Sequence, residues 1–223
     1  CIIIVLIVLL YLFYIFFIVK RPVHNVLIDK PVYLTQDYNS FISIDKLPPS
    51  STGRKYTYAF WIYIKNVPEN TIWNSDFQHE KIILFHFGSP NVYYIPKSHE
   101  LKISIFYKNN LNEKESYDFI LDNLESQNWI HVGLTVNNKN VDVYLDGELH
   151  ASTVLNNIPW IPNKYMYIGE KNNNFNGYLY YLEYINTDLG IEEMRDLYNK
   201  TKNTTPNNLV TYSEVFNNKN KKK

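Results

Sequence analysis

The sequence predicts an all-β fold, an antiparallel sandwich with a short C-terminal helix, preceded by one transmembrane helix. Three observations predict it. Residues 129–153 read WIHVGLTVNNKNVDVYLDGELHAST. In that stretch Val132, Leu134 and Val136, then Val141, Val143 and Leu145, alternate with polar or small neighbours around two turn signals, NNKN and Asp146-Gly147, which is the period-2 pattern of a half-buried meander. The composition, with 20 Tyr and 12 Phe against 7 Gly in 223 residues, is aromatic in the way strands accept. Finally, residues 2–19 form an apolar run without a single charge, followed at once by Lys20, Arg21 and Pro22.

That run comes first in the chain. At 1.5 Å per residue it reaches roughly 27 Å, near the ~30 Å hydrocarbon core, so residues 1–19 read as an uncleaved anchor that makes the chain a single-pass membrane protein. A signal peptide would have a shorter apolar region and small residues at a cleavage site, which KRPVHN does not offer. The cations beyond the run all lie on its C-terminal flank, so the side of the membrane taken by the globular part is left open. Residues 20–30 read as a juxtamembrane connector, 31–200 as the sandwich and 201–223 as a polar basic tail.

Within the sandwich, 32–34 and 41–44 are candidate strands, and LPPSSTG stops the second of them. Residues 56–64 alternate Tyr56, Tyr58, Phe60, Ile62 and Ile64 with Thr57, Ala59, Trp61 and Tyr63. Both sets are largely apolar, which predicts an inner strand covered on both faces. A loop carrying Trp73 follows, then strands at 81–87, 92–95, 101–107 and 117–121. After the meander, 156–163 is a Pro-rich loop carrying Trp160, and 165–169 and 177–185 supply the last strands. Ile191, Met194, Leu197 and Tyr198 are spaced for one side of a helix, with Gly190 as N-cap and Glu193 three residues on. Asp146-Gly147 suits a type I′ turn, since both central residues need positive φ.

Several of these pieces resemble one family in order. Trp-x-His-Val-x-Leu-Thr from Trp129, then Val-Tyr-Leu-Asp-Gly-Glu-Leu from Val143, resemble the central hairpin of laminin-G-like, concanavalin A-type jelly rolls. YTYAFWIYI at 56–64, YMYIG at 165–169, FNGYLYYLEY at 175–184 and LGIEEMRDLY at 189–198 resemble the family's flanking segments, so the likeness covers roughly 35–200. It implies a concanavalin A-like lectin/glucanase sandwich in which Trp61 and Trp129 are buried and His131, Asp146, Gly147, Gly169 and Gly177 are structural. The rich use of Asn, Lys, Ile and Tyr fits an AT-rich genome such as that of a large DNA virus or a protist.

Function follows from that likeness by analogy. It implies a membrane-anchored, non-catalytic recognition module that binds carbohydrate or protein through edge loops, with Trp73, Tyr93, Tyr94 and Trp160 as ligand-binding candidates because a flat ring stacks on the apolar face of a sugar. The alternative is a structural membrane or virion component that packs against other proteins and binds no glycan. An enzyme is disfavoured: glycoside hydrolysis needs two carboxyl groups at a fixed separation, and the nearest set, Asp142, Asp146 and Glu148, has the wrong spacing for the family's acid motif. No cofactor is predicted. Calcium has no local support, because no dense Asp/Asn loop supplies its oxygens, and stays open only for oxygens brought together from distant segments; His86, His99, His131 and His150 lack metal-ligand spacing. With 22 basic and 22 acidic residues, nothing favours a nucleic-acid partner. Cys1 is the sole cysteine, so no internal disulfide forms.

Overall fold

The computed structural model describes residues 2–13, 22–34, 40–49, 54–65, 79–86, 89–160, 165–169 and 175–206. Helix α1 (Ile2–Phe13) comes first, then strands β1 (His24–Ile28), β2 (Val32–Tyr33), β3 (Ser40–Ile42) and β4 (Lys55–Ile64). Next are β5 (Lys81–Phe85), β6 (Asn91–Ile95), β7 (Glu100–Lys108) and β8 (Lys114–Leu121). The meander follows as β9 (Trp129–Asn137), β10 (Asn140–Leu145) and β11 (Glu148–Val154). β12 (Met166–Ile168), β13 (Gly177–Ile185) and helix α2 (Ile191–Lys202) complete the order.

The strands form two antiparallel sheets. One runs β1-β13-β4-β9-β10-β11, with β2 also on β13, and the other β3-β12-β5-β6-β7-β8. Strand periodicity puts alternate residues between the sheets: Tyr56, Tyr58, Phe60, Ile62 and Ile64 of β4, and Val132, Leu134 and Val136 of β9, meet Leu101, Ile103 and Ile105 of β7 in one continuous core. The other face of β4 and β9 is buried as well, because α2 lies on it. Met194 and Leu197 pack with Ala59, Tyr144 and Ile185, and Gly133 makes room, since a Cβ there would meet the Met194 sulfur at 2.6 Å. Gly190 N-caps the helix through its own N–H, which donates to Glu193 Oε2 at 2.8 Å.

Turn chemistry is met at the central hairpin, where Asp146 (φ 48°) and Gly147 (φ 82°) both lie in the left-handed region. β13 carries a bulge. Tyr180 pairs with Trp61, but Glu183 pairs with Ala59, so β13 holds one residue more than β4 in that interval, and Tyr181 takes up the excess at φ 49°.

Two stretches differ from expectation. The transmembrane helix is overturned: α1 has 12 residues, about 18 Å at 1.5 Å per residue against a hydrocarbon core of ~30 Å. Among the described residues no helix is long and apolar enough to cross a membrane, and residues 14–21 lie outside them. The segment read as a connector contains β1, whose residues pair with β13 from His24 opposite Ile185 onward. Its apolar Val26, Leu27 and Ile28 were obscured in the sequence by the long apolar run just before them.

Candidate functional site

The antiparallel registers of four strands set four aromatic rings in a row. Tyr33 of β2 lies opposite Tyr178 of β13, Tyr178 opposite Tyr63 of β4, and Tyr63 opposite Trp129 of β9. Neighbouring strands are ~4.8 Å apart, so the row extends roughly 14 Å across the sheet. Ring centroids are 4.8 Å apart for Tyr33–Tyr178, 6.2 Å for Tyr63–Tyr178 and 5.4 Å for Tyr63–Trp129. All four are on the outer face, just past the end of α2. Tyr178 is buried by its neighbours, while Tyr33, Tyr63 and Trp129 each keep part of their surface open.

A cation sits at one end. Lys65 Nζ is 4.7 Å from the Tyr33 ring centre and 5.6 Å from that of Tyr178. Tyr33 Oη donates to Asn176 Oδ1 at 3.0 Å and Trp129 Nε1 to the Pro206 carbonyl at 3.1 Å, which fixes the outer rings. Burial raises the pKa of the Tyr33 and Tyr178 hydroxyls, the latter helped by Tyr33 and Tyr63, so both stay neutral phenols able to donate. Gly177 brings β4 close, since a Cβ there would lie 2.3 Å from the Tyr63 carbonyl. Beyond Trp129, the bulge turns Tyr180 and Tyr181 to form a further pair, with Tyr180 at 5.8 Å from Trp129 and 5.9 Å from Tyr181.

In the next row inward, Tyr180, Trp61 and His131, α2 packs on Trp61 and His131 through Tyr198. Trp61 is buried, stacks on Tyr198 at 5.5 Å and donates from Nε1 to Thr201 Oγ1 at 3.0 Å. His131 packs against both Trp61 and Tyr198; burial pushes its pKa down to about 3, and its Nδ1 has no hydrogen-bond partner among the described residues. Asp146 Oδ1 accepts from the His131 N–H at 2.9 Å, which ties the turn to β9. Gly169 has φ 65° at the end of β12.

The ligand candidates drawn from the sequence do not form one site. Trp73 lies outside the described residues. Tyr94 is 2% exposed, its hydroxyl is bonded to His99 Nδ1 at 2.9 Å and its ring meets Phe175, so it belongs to the core and presents no platform. Tyr93 is half-buried under Lys102 Nζ at 4.7 Å. Trp160 is 37% exposed and shares the Lys114 ammonium with Phe106. Trp129, expected in the core, is only half-covered and joins the open row. The three carboxylates weighed as an acid set have separate partners: Asp142 accepts from Ser152, Asp146 from His131 and Glu148 from Arg195. Among the described residues no three His, Cys, Asp or Glu side chains converge as a metal site.

The row escaped the sequence because its members are up to 145 positions apart and only strand register joins them. The available signal was positional: Tyr33, Tyr63, Trp129 and Tyr178 each lie at or next to a strand end, beside polar residues such as Lys65 and Asn176.

No curated protein sequence matches the chain. Among solved structures, it is similar to the binding domain of botulinum neurotoxin serotype D, at 15% identity and TM-score 0.58 over 81% of this chain and 46% of that one. It is also similar to the binding domain of Paraclostridial mosquitocidal protein 1, at 18% identity and TM-score 0.60 over 81% and 47%, and to the receptor-binding domain of botulinum neurotoxin type G, at 14% and 0.52 over 79% and 51%. At these identities the likeness is one of fold, and the chain spans about half the length of those structures. Residues 36–190 match the laminin G domain 3 model of the concanavalin A-like lectin/glucanases superfamily. That match takes in most of the sandwich, and the chain belongs to this family.

Proposed function

We propose that this chain is a recognition module that binds carbohydrate on the row Tyr33, Tyr178, Tyr63 and Trp129, and that it carries out no chemistry on what it binds. The observation that carries this reading is the row itself: four rings in register on an outer face, partly open, with a cation and phenolic hydroxyls beside them. Ring faces take the apolar face of a sugar, and the hydroxyls and the Lys65 ammonium supply the few polar contacts that orient it. The similarity to toxin binding domains supports recognition in general.

The test is a glycan array followed by calorimetry on the best hit. Tyr33→Ala and Tyr63→Ala are expected to weaken binding at least about tenfold, or ~1.4 kcal/mol, while Trp160→Ala leaves it unchanged. If Trp160→Ala removes binding and the row variants do not, the site is at the loop. A protein ligand is the second reading, favoured by Phe41 and Tyr165. These are 64% and 50% exposed and meet edge to face at 5.1 Å, far more open than rings of a core. An array without hits, with a co-purifying protein lost in Phe41→Ala, would put that reading first.

A further inference from the structure

Among the described residues the six-stranded sheet ends at β8, which pairs with β7 alone. Its pairing with β7 is continuous over eight residue pairs, from Lys108 opposite Lys114 to Leu101 opposite Leu121, with no bulge and no proline. Those are two of the usual devices that spoil a sheet edge, and β8 lacks both. The Asn109 N–H donates to the Glu113 carbonyl, and the Phe106 carbonyl turns away from β8 to accept from Trp160. Since a strand residue's N–H and C=O point the same way and alternate along the chain, the odd-numbered residues of β8 bond to β7. The N–H and C=O groups of Lys114, Ser116, Asp118 and Ile120 therefore point outward from the edge, and no contact among the described residues takes them up.

We infer that β8 is a self-association edge, at which a second copy of this chain pairs antiparallel about a two-fold axis through Ser116. In that register Ser116 faces its own counterpart and Lys114 faces Asp118 twice, so the outward backbone groups of both edges meet and both ion pairs form. Sliding the strands by two residues either way loses both pairs, putting Lys114 opposite Ser116 or opposite Ile120. The charges thus select one register of one partner, as specificity by charge pattern requires. The product is a closed two-fold dimer whose sheet is twice as wide. One strand pair is a small interface, so the dimer is weak and concentration-dependent. This inference is independent of the carbohydrate reading, because the aromatic row is on the other sheet.

The experiment is sedimentation velocity of the full chain over a concentration series, with thermal melting as a check on folding. The unmodified chain is expected to dimerise reversibly. Lys114→Asp should weaken the dimer about tenfold or more, since two opposed pairs turn repulsive, and the double variant Lys114→Asp/Asp118→Lys should regain it. Association through the apolar α1 would be indifferent to both variants. As an independent reading of register, Ser116→Cys in a Cys1→Ser background should give a disulfide-linked dimer with oxidised glutathione, because a directly opposed, hydrogen-bonded pair has Cα atoms ~5.5 Å apart. A chain that stays monomeric, association unchanged in Lys114→Asp, no recovery in the double variant, or no cross-link in the Ser116→Cys variant would each overturn the inference.

Discussion

At His131, burial turns a titratable side chain into an acid-labile one. Its pKa falls from 6.5 to about 3 in the folded chain because the imidazolium cannot be solvated under α2. The native state then binds fewer protons than the unfolded state between those values. The stability is fully present above pH 6.5 and is lost as pH falls toward 3, by several kcal/mol in the limit. Replacing the ring with Leu should flatten that slope, which urea denaturation at a series of pH values will measure. The turn glycine is constrained twice, by φ 82° and by Tyr198 Cβ at 3.0 Å from where its Cβ would be. Gly147→Val should therefore cost about 1–3 kcal/mol. Asp146→Asn should be nearly silent in the same denaturation assay, because Asn tolerates the left-handed region and keeps the oxygen that accepts from His131.

The helix α2 is held chiefly by what it covers. Its bidentate Arg195–Glu148 pair is exposed and contributes little, whereas Trp61 fills the gap between β4 and the last turn. Trp61→Ala should cost about 3–5 kcal/mol by leaving a cavity, while the Thr201 hydroxyl keeps its bond to the Leu197 carbonyl. Trp160→Ala, at a half-open loop position, should stay within about 0.5 kcal/mol of the parent; chemical denaturation of the two variants side by side checks both. The strands of the meander, β4 and the helix start at Gly190 were readable in the sequence because each carries a local period or a cap. The register that aligns Tyr33 with Trp129 was not, because pairing between strands of distant sequence leaves no local mark. The family resemblance, which implies a buried Trp129, also hid it from the row, where it is half-covered.

For the molecule as a whole, the N-terminal boundary of the sandwich is at β1. Removing residues 1–21 should leave the melting temperature unchanged, since the apolar side chains described in α1 are exposed rather than packed on the sheets. A fragment beginning at Asp29 lacks β1, with Leu27 and Ile28 that pack on the core. It should be less stable by about 2–3 kcal/mol, and thermal melts of the two fragments will separate these outcomes. The bulge in β13 has a consequence for how such a molecule can vary. Deleting Tyr181 would restore an even count against β4, leave Leu182 opposite Phe60 in the core and shorten the outer aromatic surface by one ring. A single-codon insertion or deletion at this position can therefore edit what the surface presents without changing what the core contains.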